Sequence, residues 1–187
     1  MTEPDPSPTE HLTLVERIVV LHEALDHARV PHAFGGALAL AWCTERARGT
    51  IDIDVNLFVT TESVHTVVAA LPAGVQVGEA DFAEIISDGQ TRLWWDGTPI
   101  DVFFNTTEFH EAAALRSHVE RFAGADVPFL ACRDLAVVKV MSDRTKDWAD
   151  LEEMAAMGTL DVDAVAAVVR HYLGDDPRID RLRALVR

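Results

Sequence analysis

Asp52 and Asp54 stand one residue apart in a run, residues 50–59, where Thr50, Asp52, Asp54 and Asn56 alternate with Ile51, Ile53, Val55 and Leu57. A strand has a period of two, so the polar residues are expected on one face and the aliphatics on the other. Carboxylates at i and i+2 of a strand lie roughly 7 Å apart, two residues' rise, and repel unless a cation comes between them. Hard divalent cations take oxygen ligands, which makes this pair a candidate cation site; the bland alternative is a solvated strand end. A third carboxylate, Asp101, sits between Ile100 and Val102 in a second strand-like run, residues 99–105. If the two strands are neighbours, the three carboxylates converge on one or two Mg²⁺ ions.

Gly35-Gly36 lie just before an apolar helical run. Backbone N–H groups at a helix N-terminus, with no side chains in the way, let a phosphate approach closely and place it in the favourable end of the helix dipole. A Gly pair also makes an ordinary tight turn, and both readings stand. Lys139 interrupts an apolar run, LAVVKVM, and Lys139 and Lys146 are the only lysines in the chain. A lysine so placed must extend to water or meet an anion. The i,i+4 spacings Lys139–Asp143, Asp143–Asp147 and Lys146–Asp150 also suit solvated pairs on helices. His110 and His118, the Trp94-Trp95 pair and the arginines of residues 178–187 are weaker candidates, for catalysis, base stacking and contact with RNA or an acidic partner respectively.

The elements that must position these groups are readable from periodicity. Residues 11–29 form an amphipathic helix with Leu14, Ile18, Leu21 and Leu25 on one side, ended by Pro31. A helix over 37–46 leads to the Asp52 strand, and Thr61 caps a helix over 62–71. Residues 75–79 are a short strand candidate, and the segment up to Asp88 is ambiguous. Asp96-Gly97 is the strongest hairpin cue, joining strands 90–95 and 99–105. Thr106 or Thr107 caps a helix ending near Ser117, and one or two short strands surround Asp126-Val127-Pro128. From Cys132 the chain reads as four helices, about 133–143, 146–157, 161–173 and 177–187, with Asp161 and Asp176 as N-caps and Pro177 at a first helical position. The expected fold class is α/β: a small mixed sheet flanked by helices, with a C-terminal helical extension. The expected division is a lead at 1–10, a core at 11–131 and a helical region at 132–187 packed on it.

The chain of 187 residues is 49% hydrophobic and fits one domain. No run approaches the roughly 18 apolar residues of a membrane span. Residues 1–10, acidic and rich in proline, are not a signal peptide and read as a disordered lead. Cys43 and Cys132 are far apart, share no ligand spacing and read as free thiols of a cytoplasmic protein. The net charge of −15 supplies no overall basic face for nucleic acid, though local patches are compatible with it.

A Gly-Gly pair followed by the Arg-Gly-Thr-x-Asp-x-Asp strand and a later apolar-Asp-apolar strand resembles the polymerase-β-like nucleotidyltransferase superfamily. The run LAVVKVMSDRTKDWADLEEM is similar to the helical motifs of its AbiEii/AbiGii-type branch, which includes toxins of type IV toxin–antitoxin systems. The motifs together span residues 32–154. The resemblance implies that Gly35 and Gly36 cradle the phosphates of a nucleoside triphosphate (NTP), and that Asp52 and Asp54 hold Mg²⁺ against it. It implies that Asp101 helps bind a second metal and orients the attacking hydroxyl, that Lys139 and Arg48 meet the phosphates, and that Asp147 is the acid of the last motif. Gly36 stands where many members carry serine. The implied acceptor is a tRNA 3′ end, with a cognate antitoxin as partner; the acidic balance of the chain leaves a small molecule such as an antibiotic, or a protein side chain, open as acceptor. A non-catalytic nucleotide-binding or interaction module on the same fold is the alternative from another class.

Overall fold

The computed structural model describes residues 12–186; the expected lead at 1–10 and the start of the first helix at His11 lie outside them. Helix α1 (Leu14–His27) is set by a capping box at Thr13. The Thr13 hydroxyl accepts from the Glu16 N–H at 3.3 Å, and the Glu16 carboxylate accepts from the Thr13 N–H at 2.7 Å. Strand β1 (His32–Phe34) runs into α2 (Gly36–Thr44), followed by β2 (Ile53–Leu57). A 3₁₀ turn (Thr61–Ser63) enters α3 (Val64–Ala70), then β3 (Val75–Gln76) and α4 (Glu79–Asp88). The hairpin β4 (Gln90–Trp95) and β5 (Thr98–Phe104) precedes α5 (Glu108–Arg116), and β6 (His118–Phe122) and β7 (Ala125–Phe129) form a second hairpin. Four helices complete the chain: α6 (Cys132–Ser142), α7 (Thr145–Met157), α8 (Val162–Leu173) and α9 (Pro177–Ala184).

Among the described residues the strands make one mixed sheet in the order β3-β4-β5-β2-β1-β7-β6. The pairs β2–β5 and β1–β7 are parallel and the others antiparallel. This is the expected mixed α/β sheet. Asp96 and Gly97 turn the β4–β5 hairpin with φ of 45° and 79°, the positive pair that a two-residue turn needs to match strand twist. Asp161 and Asp176 cap α8 and α9 by accepting from the N–H groups of Ala164 and Arg178.

Period two divides the sheet into two faces. Ile53, Val55, Leu57, Ile100, Val102 and Phe104 are buried on the aliphatic face. Helix α1 lies on this side: Arg17 donates from Nη1 to the Thr98 hydroxyl at 2.8 Å and rests over Trp95. Trp95 is buried and Trp94, on the other face, is 45% exposed. The opposite face carries Asp54, Asn56, Arg92 and Asp101. Helices α2, α6 and α7 pack on one another, α8 on α6, and α9 on α8. One buried apolar cluster runs from Ile18 of α1 through the sheet to Leu182 of α9.

Several expectations change. The 50–59 strand is cut to five residues because its pairing begins at Ile53, opposite Ile100 of β5. Before that point the Thr50 hydroxyl bonds the Asp52 carboxylate, a local bond that competes with the ladder, and Ile51 is left 80% exposed. Strand 75–79 shrinks to two residues, and the ambiguous segment is α4, ended by Gly89 at φ 72°. Thr61 opens a 3₁₀ turn; the helical residues after it begin at Val64. The free-thiol expectation is overturned: Cys43 and Cys132 form a disulfide, with Cα atoms 5.5 Å apart across 89 residues of sequence. Packing of the last turn of α2 on the first turn of α6 brings them together, which spacing in sequence does not reveal. Among the described residues no helix is long and apolar enough to cross a membrane.

Candidate active site

A cavity of about 630 Å³ opens on the polar face of the sheet. Gly35, Gly36, Asp54, Asp101, Lys139 and Asp147 line it, six of the residues singled out by their types and spacing. Asp52 and Arg48 do not line it.

The glycine pair is shaped by Asp54. Gly35 donates its N–H to the Asp54 carbonyl at 2.9 Å, and its carbonyl accepts from Ala39 N–H at 3.0 Å as the first bond of α2. No side chain caps this helix, so its first N–H groups remain for another acceptor. Gly36 has φ of 52°, and a Cβ there would collide with Oδ2 of Asp54. A serine is therefore excluded twice, by backbone conformation and by space. A Cβ at Gly35 would meet Nδ2 of Asn56 at 3.0 Å.

Asp54 and Asp101 face each other in register on the parallel strands β2 and β5. Burial, with the like charges of Asp52 and Asp101 adding to it, raises the Asp54 carboxyl to about 6. Asp52 lies just before the strand, its carboxylate taken by the Thr50 hydroxyl at 2.5 Å. Asp101 is held by Arg92 of β4, which donates from Nε at 2.6 Å and from Nη2 at 2.7 Å, one bond to each oxygen. As they stand, no three His, Cys, Asp or Glu groups among the described residues are gathered to hold a metal ion. Mg²⁺ does not require such a cage, since it takes one or two carboxylates and completes its octahedron with water and substrate phosphate. Two carboxylates side by side, one of them made reluctant to ionise by burial first and by neighbouring like charge second, fit that donor chemistry.

Lys139 and Asp147 belong to a charge network between α6 and α7. Lys139 Nζ lies 2.5 Å from Asp150 and 3.7 Å from Asp147. Arg48, expected to face phosphates, grips Asp150 instead, at 2.5 and 3.2 Å. Arg144 donates to both oxygens of Asp147 at 2.6 and 3.3 Å and lines the cavity as well. The expected Lys146–Asp150 pair is not made, because Asp150 is turned inward and Lys146 is exposed.

Arg92 is the residue that reading the sequence passed over. The Asp96-Gly97 turn held the signal: counting back from the Trp95–Thr98 pair places Arg92 opposite Asp101. His110 also lines the cavity, its Nδ1 3.1 Å from the Thr107 hydroxyl, and burial lowers its pKa. His118 lies apart, 3.8 Å from Glu120.

No family model and no curated protein sequence matches the chain. Solved structures do. A crystal structure of ANT(2'')-Ia in complex with adenylyl-2''-tobramycin is 16% identical, covers 94% of this chain and 98% of its own, and has a TM-score of 0.54. A solution structure of the same antibiotic-resistance factor is 15% identical over 91% and 89% of the two chains, with a TM-score of 0.53. Lincomycin-bound LnuA, a lincosamide antibiotic adenylyltransferase, is 12% identical over 79% and 99%, also with a TM-score of 0.53. The chain has the fold of these nucleotidyltransferases.

Proposed function

We propose that the chain is a Mg²⁺-dependent nucleotidyltransferase that moves the monophosphate unit of an NTP to an acceptor hydroxyl and releases pyrophosphate. The observation that carries this reading is the pairing of Asp54 with Asp101 beside the uncapped N-terminus of α2. Asp54 and Asp101, with Asp52 at the entrance to the strand, would hold Mg²⁺. The ion would supply charge neutralisation on the phosphates and polarise the phosphorus under attack. Gly35 and Gly36 admit the phosphates to backbone N–H groups, which replace the hydroxyl that a serine would offer. Asp101 orients the acceptor hydroxyl for in-line attack on the α-phosphorus. The new P–O bond forms as the bond to pyrophosphate breaks, and the hydroxyl proton passes to the carboxylates and on to water. Arg144, which lines the cavity, would offset charge on the leaving group.

A small-molecule acceptor is favoured. The cavity has the volume of a small-ligand site, and a chain of net charge −15 repels the phosphate backbone of a tRNA. The lincosamide adenylyltransferase LnuA and ANT(2'')-Ia with adenylyl-2''-tobramycin, which share the fold, support the same reading. The tRNA 3′ end and the cognate antitoxin implied by the toxin branch rest on the 135–154 motif, whose Lys139 is engaged inside the protein. The decisive assay incubates the protein with each labelled NTP and Mg²⁺ against hydroxylated antibiotics, total tRNA and cell extract. Labelled product is expected in the small-molecule fraction, with its loss in Asp54→Ala and Asp101→Ala. Labelling that persists in both variants would sink the assignment, and nucleotide binding with no product on any acceptor would favour the non-catalytic module.

A further inference from the structure

Arg92, Asp101 and Asp54 form one row across three neighbouring strands: Arg92 of β4 is in register with Asp101 of β5, which is in register with Asp54 of β2. Their side chains share the polar face that opens into the cavity. The guanidinium fork takes both oxygens of Asp101, by bonds of 2.6 and 2.7 Å. Those are the same two oxygens that a divalent cation would use, so the positive fork and the cation compete for one carboxylate.

We propose that Arg92 is a positioning residue that occupies Asp101 until the metal–nucleotide arrives and then releases it. This inference rests on the reading of Asp54 and Asp101 as the metal-holding pair. Without a cation, Asp54 and Asp101 lie side by side, and one arginine offsets their repulsion and fixes the Asp101 rotamer. With a cation in place that positive charge is redundant, and the same fork, carried by a half-exposed side chain, faces the polyanion that enters the cavity. Release is possible because Arg92 is 51% exposed and Asp101 20% exposed, so water can take over the hydrogen bonds that the fork gives up.

The test measures Mn²⁺ binding to the full chain without nucleotide, by electron paramagnetic resonance of free Mn²⁺, for the parent, Arg92→Ala, Arg92→Lys and Asp101→Asn. Arg92→Ala should bind Mn²⁺ about fivefold more tightly than the parent, and Arg92→Lys, which keeps the charge and loses the fork, should fall between them. Asp101→Asn should bind more weakly than either. The nucleotide-supported turnover of Arg92→Ala should fall at least tenfold although its metal affinity has risen, a divergence that loss of structure does not produce. If Arg92→Ala and Arg92→Lys bind Mn²⁺ no more tightly than the parent while Asp101→Asn binds less, the Arg92 proposal is overturned and the metal pair stands. If neither the parent nor any variant binds Mn²⁺, both fall together.

Discussion

The Nζ of Lys139 lies 2.5 Å from Oδ2 of Asp150, and the side chains are 7% and 2% exposed. A lysine in an apolar helical run has here met an anion within its own chain. Asp147, also buried, lies 3.7 Å from the same ammonium, and Arg48 and Arg144 close the network from the outside. Asp150→Asn would leave Lys139 with one distant partner, and breaking a buried pair from one side costs about 3–5 kcal/mol. Replacing both residues with apolar ones, in Lys139→Met with Asp150→Leu, should recover most of that loss. Urea denaturation of Lys139→Met, Asp150→Leu and the double variant measures the coupling, and additive losses would show that the pair is not closed in solution.

At Gly36, Ala is expected to fail for two reasons that can be separated. The φ of 52° strains any L-residue by about 1–2 kcal/mol, and the new methyl group would displace the Asp54 carboxylate. Gly97 has φ of 79° and open space around its Cβ position, so Gly97→Ala carries the strain alone. Gly36→Ala should lose more stability than Gly97→Ala in thermal melts, and only Gly36→Ala should lose nucleotide transfer, by about a hundredfold or more. Equal activity in the two would mean that Asp54 is not held in place by the glycine.

How far the sequence revealed this site follows from which forces act locally. The Asp96-Gly97 hairpin, the Asp161 and Asp176 caps and the Asp101 strand are decided within a few residues, and each stands where its chemistry put it. The union of Gly35, Gly36, Asp54 and Asp101 in one cavity was legible because strand alternation sends residues to a common face. Ile51 departs from the aliphatic face because alternation in the sequence starts before the strand pairing does, at Ile53. Arg48 and Lys139 were assigned to phosphate, but α7 offers them Asp150 from about 100 and 11 residues away in sequence, a contact that only packing creates. The Cys43–Cys132 bond belongs to the same class.

Asp54 makes the metal-free protein lose stability as pH rises. Its carboxyl titrates at about 6 in the fold against 3.8 in the unfolded chain, chiefly through burial, so the folded state binds more protons between those values. Stability is greatest below that window, falls through it, and is flat above pH 6. The whole effect is at most about 3 kcal/mol. Asp54→Asn should exceed the parent in stability at pH 7.5 and converge with it near pH 4, as read by denaturation midpoints without divalent cations. A constant difference across that range would contradict the raised carboxyl.

His32 acts in the opposite direction. Burial is the main cause of its lowered pKa and the neighbouring His22 adds to it, against weaker opposing effects of the Val30 carbonyl and Asp26. Its Nδ1 is 2.8 Å from the Val30 carbonyl, and its Nε2 is 3.0 Å from His22 Nδ1. With Nδ1–H donating to Val30, Nε2 accepts from His22, and a second proton there would face another N–H. The folded state therefore favours the neutral ring, and stability is lost as pH falls below the unfolded value of about 6.5. In an Asp54→Asn background, which removes the opposing slope, stability should decline as pH falls below about 6.5, and His32→Gln should flatten the decline. An unchanged slope in His32→Gln would assign the acid sensitivity elsewhere.

The Cys43–Cys132 disulfide ties α2, which begins at the glycine pair, to α6, which carries Lys139. Closing a loop across 89 residues restricts the unfolded chain by about 4–5 kcal/mol. For a chain of this size that corresponds to a fall of about 10 °C in Tm on reduction. The chain has only these two cysteines, so thiol counting in denaturant is unambiguous. No reactive thiol is expected before reduction and both after it. Melting should move down with dithiothreitol in the parent and not in Cys43→Ala with Cys132→Ala, whose Tm should match that of the reduced parent. Thiols that titrate fully without reductant would show that the bond is not formed in solution, and the reduced Tm would then be the native one.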